Sequence, residues 1–363
     1  MFTLRQYLLA LLDSRGLTRT LGEIDVCRDE QGRPCFSAGN SAAVFRIRLG
    51  GRIRSLRCYL RPMRHLKEIY GQRLLEKELY LHTSPETGVW VDTVLGDWIE
   101  GSTLHETVAQ AAALRDRECL QILVRLFDRL ALALVTDDRA HGDLKPENII
   151  VGDDGTLCPI DFDASYLPAF AGEISPELGT AAYQHPARTA ADFDERIDDY
   201  PAALISTALH ALAEAPTLWD RYGSSDGLLY TPQRIASDPA YRETLALFEK
   251  RGMAVQYRIA QLLTAPTLRL FGLAELLAEA VREKPAARSG TEAETPELFV
   301  ENGRWGYRTA ERVVVAPLYD NGFDFTEGLA AVQLGGTWHY IDTAGRTRLS
   351  LSLIHISEPT RRV

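Results

Sequence analysis

The octapeptide His141-Gly-Asp-Leu-Lys-Pro-Glu-Asn148 sets a carboxylate, an ammonium group and an amide close together in the chain. A second carboxylate, Asp161, follows the apolar run Ile149-Ile-Val151 and a turn. Moving a phosphoryl group from ATP calls for cations that hold the phosphates and offset their charge, and for a group that orients the attacking hydroxyl. Mg²⁺ takes hard oxygen ligands. An Asp five residues before an Asn, with another Asp beyond a short hairpin, supplies one hydroxyl-orienting carboxylate and two metal ligands. Lys145, two residues after Asp143, is placed to neutralise a transferring phosphate.

Such residues need a scaffold to position them. The 363 residues, 45% apolar and 25% charged, suffice for a two-lobed domain with a sizeable core plus a smaller module. Residues 20 to 100 carry strand-like runs: Gly39 to Gly50, Ile53 to Tyr59 and Val89 to Ile99, with one helical stretch predicted over Leu66 to Leu81. From Thr103 to about Glu283 the apolar spacing is mainly helical, most clearly over Arg117 to Val135 and Pro201 to Leu212. The net charge of −10 argues against a nucleic-acid binder. The five cysteines, Cys27, Cys35, Cys58, Cys119 and Cys158, are scattered and form no Cys-x-x-Cys pair, which points to free thiols in a reducing cytoplasm. No run approaches the ~20 apolar residues of a membrane span. Met1 to Arg15 reads as an amphipathic helix rather than a signal peptide.

The loop at 141–148 and the following Ile160-Asp-Phe-Asp163 resemble the protein-kinase pair of catalytic loop and metal-binding Asp-Phe-Gly. The resemblance implies that Asp143 accepts the substrate proton, Lys145 steadies the γ-phosphate, and Asn148 and Asp161 bind metal. Gly179-Thr-Ala-Ala-Tyr-Gln-His-Pro186 is similar to the end of an activation segment. Asp198 falls where the family keeps a buried aspartate tying the catalytic loop to the core; the plain alternative is an ordinary helix N-cap. In the small lobe, Gly39-Asn-Ser-Ala-Ala-Val-Phe45 stands at the phosphate loop with one glycine, and Arg57 at the strand lysine. Glu76 is the best-spaced partner for Arg57, with Glu68 and Glu78 as rivals. Leu95 to Leu104 resembles the hinge, where adenine would pair with backbone groups near Asp97 and Ile99. Three departures stand out. Gly142 replaces the arginine that binds a phosphorylated activation loop, which implies constitutive or partner-controlled activity. Asp163 replaces the glycine after Phe162, and Ala187 replaces the Glu of Ala-Pro-Glu.

Residues Lys284 to Pro296 are polar and rich in Pro, Ala and Glu, as in a linker. Beyond them Gly303-Arg-Trp-Gly-Tyr is answered by Gly336-Thr-Trp-His-Tyr, with Trp305 and Trp338 33 residues apart. This resembles WG repeats; Phe323, Phe325, Gly328 and Leu329 fit, and His339 departs from the pattern. Their aromatic residues are expected to pack the repeat interior, and the array to bind a protein partner. Leu351 to Arg361 resembles a translated sequencing adapter, which would leave the array truncated.

The expected fold is α+β. It comprises a helical extension (1–19), a two-lobed kinase-like domain with a β-rich N-lobe (20–102) and a helical C-lobe (103–283), a linker (284–298), an all-β WG-repeat module (299–350) and an artefactual tail (351–363). The function so implied is an ATP- and Mg-dependent bacterial serine/threonine kinase acting on protein hydroxyls, with no nucleic-acid or membrane partner. Two alternatives stay open: a catalytically inactive kinase-fold scaffold, favoured by Arg57 and the lone Gly39, and a small-molecule phosphotransferase of the aminoglycoside or choline type.

Overall fold

The structure is a computed structural model that describes residues 1–152, 155–282, 296–325, 329–335 and 337–351. Most of the expected linker, Gly328 and Gly336 of the repeat pattern, and the tail beyond Leu351 lie outside the described residues. The chain is mixed α and β and divides into two compact units, Met1–Ile99 and Glu100–Val363.

The first unit opens with α1 (Leu4–Leu12), started by a capping box in which Thr3 and Gln6 bond each other's backbone. Its buried face, Tyr7, Ala10 and Leu11, packs on the sheet core with Phe45, Ile47 and Leu56. The sheet comprises β1 (Asp25–Val26), β2 (Phe36–Ala38), β3 (Ala42–Leu49), β4 (Arg52–Tyr59), β5 (Leu74–His82) and β6 (Gly88–Asp97). Its order is β1-β3-β4-β6-β5, with β2 also paired to β3.

The helix expected over Leu66 to Leu81 is overturned. Only α2 (Leu66–Tyr70) and the 3-10 turn Gly71–Arg73 are helical, and β5 takes over from Leu74. A bulge explains the misreading. Lys77 has φ 52, and the register of β5 against β6 shifts between Leu75 and Leu79. The extra residue breaks the apolar alternation and leaves leucines at helix-like spacing. Glu78 is buried because its carboxylate accepts the amides of Arg19, Thr20 and Leu21 at 2.8–3.1 Å, anchoring the preceding loop.

The second unit begins with β7 (Gly101–Thr103) and the helices α3 (Leu104–Ala113) and α4 (Arg117–Thr136). The Asp116 side chain accepts the Cys119 amide and starts α4. Leu120, Leu123, Phe127, Ala131 and Val135 then form its buried stripe. The hairpin β8 (Ile149–Gly152) and β9 (Leu157–Pro159) joins β7 in a small sheet. Next comes α5 (Asp199–Glu214), buried nearly all round, as suits the central helix of a core. Its Ser206 and His210 bond the two oxygens of buried Asp128 on α4, at 2.7 and 2.8 Å. Shorter helices follow: α6 (Leu218–Tyr222), α7 (Pro239–Arg251), α8 (Ala254–Leu262) and α9 (Leu273–Arg282).

The C-terminal strands form two antiparallel sheets: β10 (Glu297–Glu301), β11 (Arg304–Arg308) and β12 (Val313–Tyr319), then β13 (Asn321–Gly322), β14 (Leu329–Leu334), β15 (Thr337–Asp342) and β16 (Thr347–Leu351). A Cβ at Gly306 would lie 2.7 Å from the Val315 carbonyl, so the residue after Trp305 must be glycine for β11 and β12 to pair closely. Tyr307 is fully buried, its ring centroid 4.7 Å from that of Phe325. Phe323 departs from the expected interior packing. Its side chain is 54% exposed and its carbonyl accepts the Tyr307 hydroxyl at 2.6 Å.

At the start of α5, burial pushes the Asp199 carboxyl up to about 7, against the pull of the Arg196 cation, and Oδ1 has no hydrogen-bond partner among the described residues. The folded chain therefore holds this proton more tightly than the unfolded chain does, and stability falls as pH rises from about 4 to about 7. Asp199→Asn is expected to melt above wild type at pH 8, with the gain shrinking as pH falls towards 4. A constant difference across that range in thermal unfolding would contradict the assignment.

Candidate active site

In the second unit, the end of α4 leads into an isolated bridge between Ala140 and Tyr166, and the loop 141–148 starts there. Asp198, immediately before α5, is 1% exposed. Although it occupies the N-cap position, its carboxylate makes no cap bond to the helix. Oδ2 accepts the His141 amide and Oδ1 accepts the Gly142 amide at 3.0 Å. Burial pushes this carboxyl above the ordinary aspartate value, while the two amides and the Arg188 cation oppose that rise.

His141 joins two loops. Its Nε2 lies 2.7 Å from the Ile160 carbonyl, and the Asp143 amide approaches Nδ1 at 3.4 Å. A carbonyl only accepts and an amide only donates, so the ring is the tautomer protonated at Nε2. The ring also meets Phe162 at 5.0 Å. Gly142 has φ +81, and a Cβ there would sit 2.0 Å from the Ala164 carbonyl. An arginine at this position is therefore excluded by backbone and by space.

Asp143, Lys145 and Asn148 come together. Lys145 Nζ is 3.0 Å from Asp143 Oδ2, and Asn148 Nδ2 donates to the Asp143 carbonyl at 2.9 Å and to Oδ2 at 3.1 Å. Thr180 closes the other side. Its amide donates to Asp143 Oδ1 at 2.6 Å, and its hydroxyl accepts from Lys145 Nζ at 2.8 Å. Asn148 and Asp161 are held close by the hairpin, in which Ile149 pairs with Pro159 and the Ile160 amide donates to the Asn148 carbonyl at 2.9 Å. Asp161, the next residue, adopts φ 67, a left-handed conformation rarely taken outside glycine. With its amide nitrogen turned to Asp143, Asn148 keeps its Oδ1 available, so an amide oxygen and a carboxylate stand on adjacent backbone. That donor pair fits Mg²⁺, which usually takes one or two protein carboxylate or carbonyl ligands and completes its shell with phosphates and water. Among the described residues no group of three or more His, Cys, Asp or Glu forms a metal cage.

The remaining sequence-predicted residues lie in the first unit. Gly39 opens the bend between β2 and β3, its amide donating to the Ala42 carbonyl at 2.9 Å, without a left-handed φ. Arg57 lies on β4 between Val44 and Val94. Glu76 is not on a helix but on the exposed part of β5, 3.7 Å from Lys67. Asp97 ends β6 beside Arg54 at 3.3 Å, its carbonyl bonded by the Ser55 hydroxyl at 3.1 Å, and Ile99 ends the unit.

Two residues at the site were not singled out from sequence. Thr180 stands in the Gly179–Pro186 segment, and nothing in its spacing marks it as a partner of Asp143 and Lys145. Arg188 carries no motif in the sequence, yet it is buried beside the loop, with Nη1 donating to the Gly142 carbonyl at 3.1 Å and to Gln184 Oε1. Burial pulls this guanidinium below the ordinary arginine value, against the Asp198 and Asp143 carboxylates. The signal was an arginine next to Ala187, in a chain whose loop carries glycine at 142.

The chain is similar to known proteins of two kinds. The family model of the WG containing repeat matches residues 308–338. Serine/threonine-protein kinase PknL of Mycobacterium tuberculosis is 28% identical over 219 residues, 55% of this chain and 52% of that protein. CBL-interacting protein kinase 17 of Oryza sativa subsp. japonica is 28% identical over 172 residues, 45% of this chain and 35% of that protein. The chain thus spans about half the length, or less, of the curated relatives it matches. These matches support a kinase-like domain.

Gly142→Ala is expected to lower stability by at least about 2 kcal/mol, from positive φ and collision with the Ala164 carbonyl. Denaturant unfolding reads this directly, and an unchanged midpoint would contradict the described loop.

Proposed function

We propose that the chain is an ATP- and Mg-dependent protein-kinase-like phosphotransferase acting on serine or threonine hydroxyls. The observation that carries this reading is the joint holding of Asp143 by Lys145, Asn148 and Thr180, with Asp161 adjacent to Asn148 on the hairpin. Asp143 orients the attacking hydroxyl and takes its proton. Its Oδ1 is held by the Thr180 amide, so the carboxylate keeps its aim. Lys145 offsets charge on the transferring phosphate. Asn148 and Asp161 would hold Mg²⁺, which supplies neutralisation of the phosphate oxygens. Gly39, Arg57 and the backbone near Asp97 and Ile99 are the nucleotide contacts in this reading. Glu76 is left out, since β5 replaces its helix.

A protein hydroxyl is favoured over a small alcohol because Thr180, in the Gly-Thr-Ala-Ala-Tyr segment, bonds both Asp143 and Lys145. In this reading the WG strands are an arm for a protein partner. The setting is the bacterial cytoplasm, consistent with five free cysteines. No helix among the described residues is long and apolar enough to cross a membrane.

Thermal unfolding with ATP tests the reading. With ATP and Mg²⁺ at about a hundred times the dissociation constant, stabilisation of about 2.7 kcal/mol is expected. Asp161→Asn should lose the Mg-dependent part, while Asp143→Ala should keep it. No Mg-dependent shift in the wild type would overturn the enzyme and leave the scaffold.

A further inference from the structure

The peptide groups of Gly142 are bonded on both sides by opposite charges. Its amide donates to Asp198 Oδ1 at 3.0 Å, and its carbonyl accepts from Arg188 Nη1 at 3.1 Å. Both side chains are buried. Gly142 immediately precedes Asp143, so this clamp sets where the Asp143 backbone begins. The same Nη1 bonds Gln184 Oε1. Gln184 in turn lies against Gly179, where a Cβ would come 2.7 Å from Gln184 Nε2 and 3.0 Å from Asp143 Oδ1. Gly179 precedes Thr180, whose amide holds Asp143 Oδ1. Arg188 thus reaches Asp143 by two routes, through the Gly142 carbonyl and through Gln184 and the 179–180 turn.

Hydrogen bonding alone does not account for this arginine. Nε and Nη2 have no hydrogen-bond partner among the described residues. Burying a guanidinium with unused donors is costly, and apolar replacements of buried ion pairs are often neutral or stabilising. The charge does, however, offset the buried Asp198 carboxylate across a single residue. Both sit in the main chain's immediate surroundings, and neither contact calls for an added phosphate.

We propose that Arg188 is a positioning residue for Asp143, a permanent internal cation that seats the 179–188 segment on the 141–143 loop. The proposal rests on the phosphotransferase reading for its catalytic consequence, but its structural half is measurable without turnover.

Two readouts on the full chain test it, using Arg188→Met, Arg188→Lys and, as a control, Arg251→Met, whose side chain pairs with Glu214 on the surface at 3.3 Å. In hydrogen–deuterium exchange, Arg188→Met should accelerate the amides of 141–144 and 179–183 at least about tenfold over wild type, leaving α4 and α5 unchanged. In transfer from Mg·ATP to casein, kcat should fall at least about tenfold with the ATP KM within about twofold, and Arg188→Lys should recover part of both effects. Phosphatase treatment of the wild type should leave turnover intact. Unchanged exchange in Arg188→Met, acceleration spread evenly over α4 and α5, or loss of turnover on phosphatase treatment would overturn the proposal. If Arg188→Met does not fold, Arg188→Lys and Arg188→Gln decide by the same exchange pattern. A wild type with no transfer at all defeats the phosphotransferase reading, and the exchange result then judges Arg188 alone.

Discussion

One buried carboxylate organises the candidate site of this chain. Asp198 leaves solvent almost completely and spends both oxygens on consecutive amides, His141 and Gly142, instead of capping the helix it precedes. An ionised group in that place is tolerated only with full hydrogen bonding and a nearby counter-charge, which the two amides and Arg188 supply. The consequences run outward. With its amide fixed, His141 turns its ring to the Ile160 carbonyl and ties the first loop to the second. With its amide and carbonyl fixed, Gly142 delivers Asp143 to Lys145, Asn148 and Thr180. The apolar burial of α5 is what gives Asp198 a rigid base, since that helix has almost no face left in water.

The cluster of Asp143, Lys145 and Asn148 was legible because the three stand at short spacing on one loop. Asp143, Lys145, Asn148 and Asp161 sit on two loops joined by one hairpin, and local sequence is enough to bring them together. The helices Arg117 to Val135 and Pro201 to Leu212 were legible too, appearing as α4 and α5 with slightly wider bounds. What was illegible depends on long-range or phase-breaking features. The bulge at Lys77 disguised β5 as helix, and the burial of Glu78 answers to amides of residues 19–21, almost sixty positions away. Arg188 acts on Gly142 from 46 positions away through a main-chain carbonyl, which leaves no mark in side-chain spacing.

The C-terminal strands show the same division. The glycine after Trp305 is explained by the approach of the Val315 carbonyl. In the second repeat His339 stands at that position opposite Val332, its ring partly buried and Nδ1 without a partner among the described residues, and burial pulls its pKa down. The two repeats therefore differ in the residue that follows the tryptophan.

The central claim, that Asp143 serves phosphoryl transfer, is tested most directly by γ-labelled ATP with Mg²⁺ and a generic protein acceptor, comparing wild type with Asp143→Ala at matched folded concentration. The account expects label to enter the acceptor in the wild type and to drop at least about a hundredfold in the variant. Equal incorporation by the two proteins would contradict it.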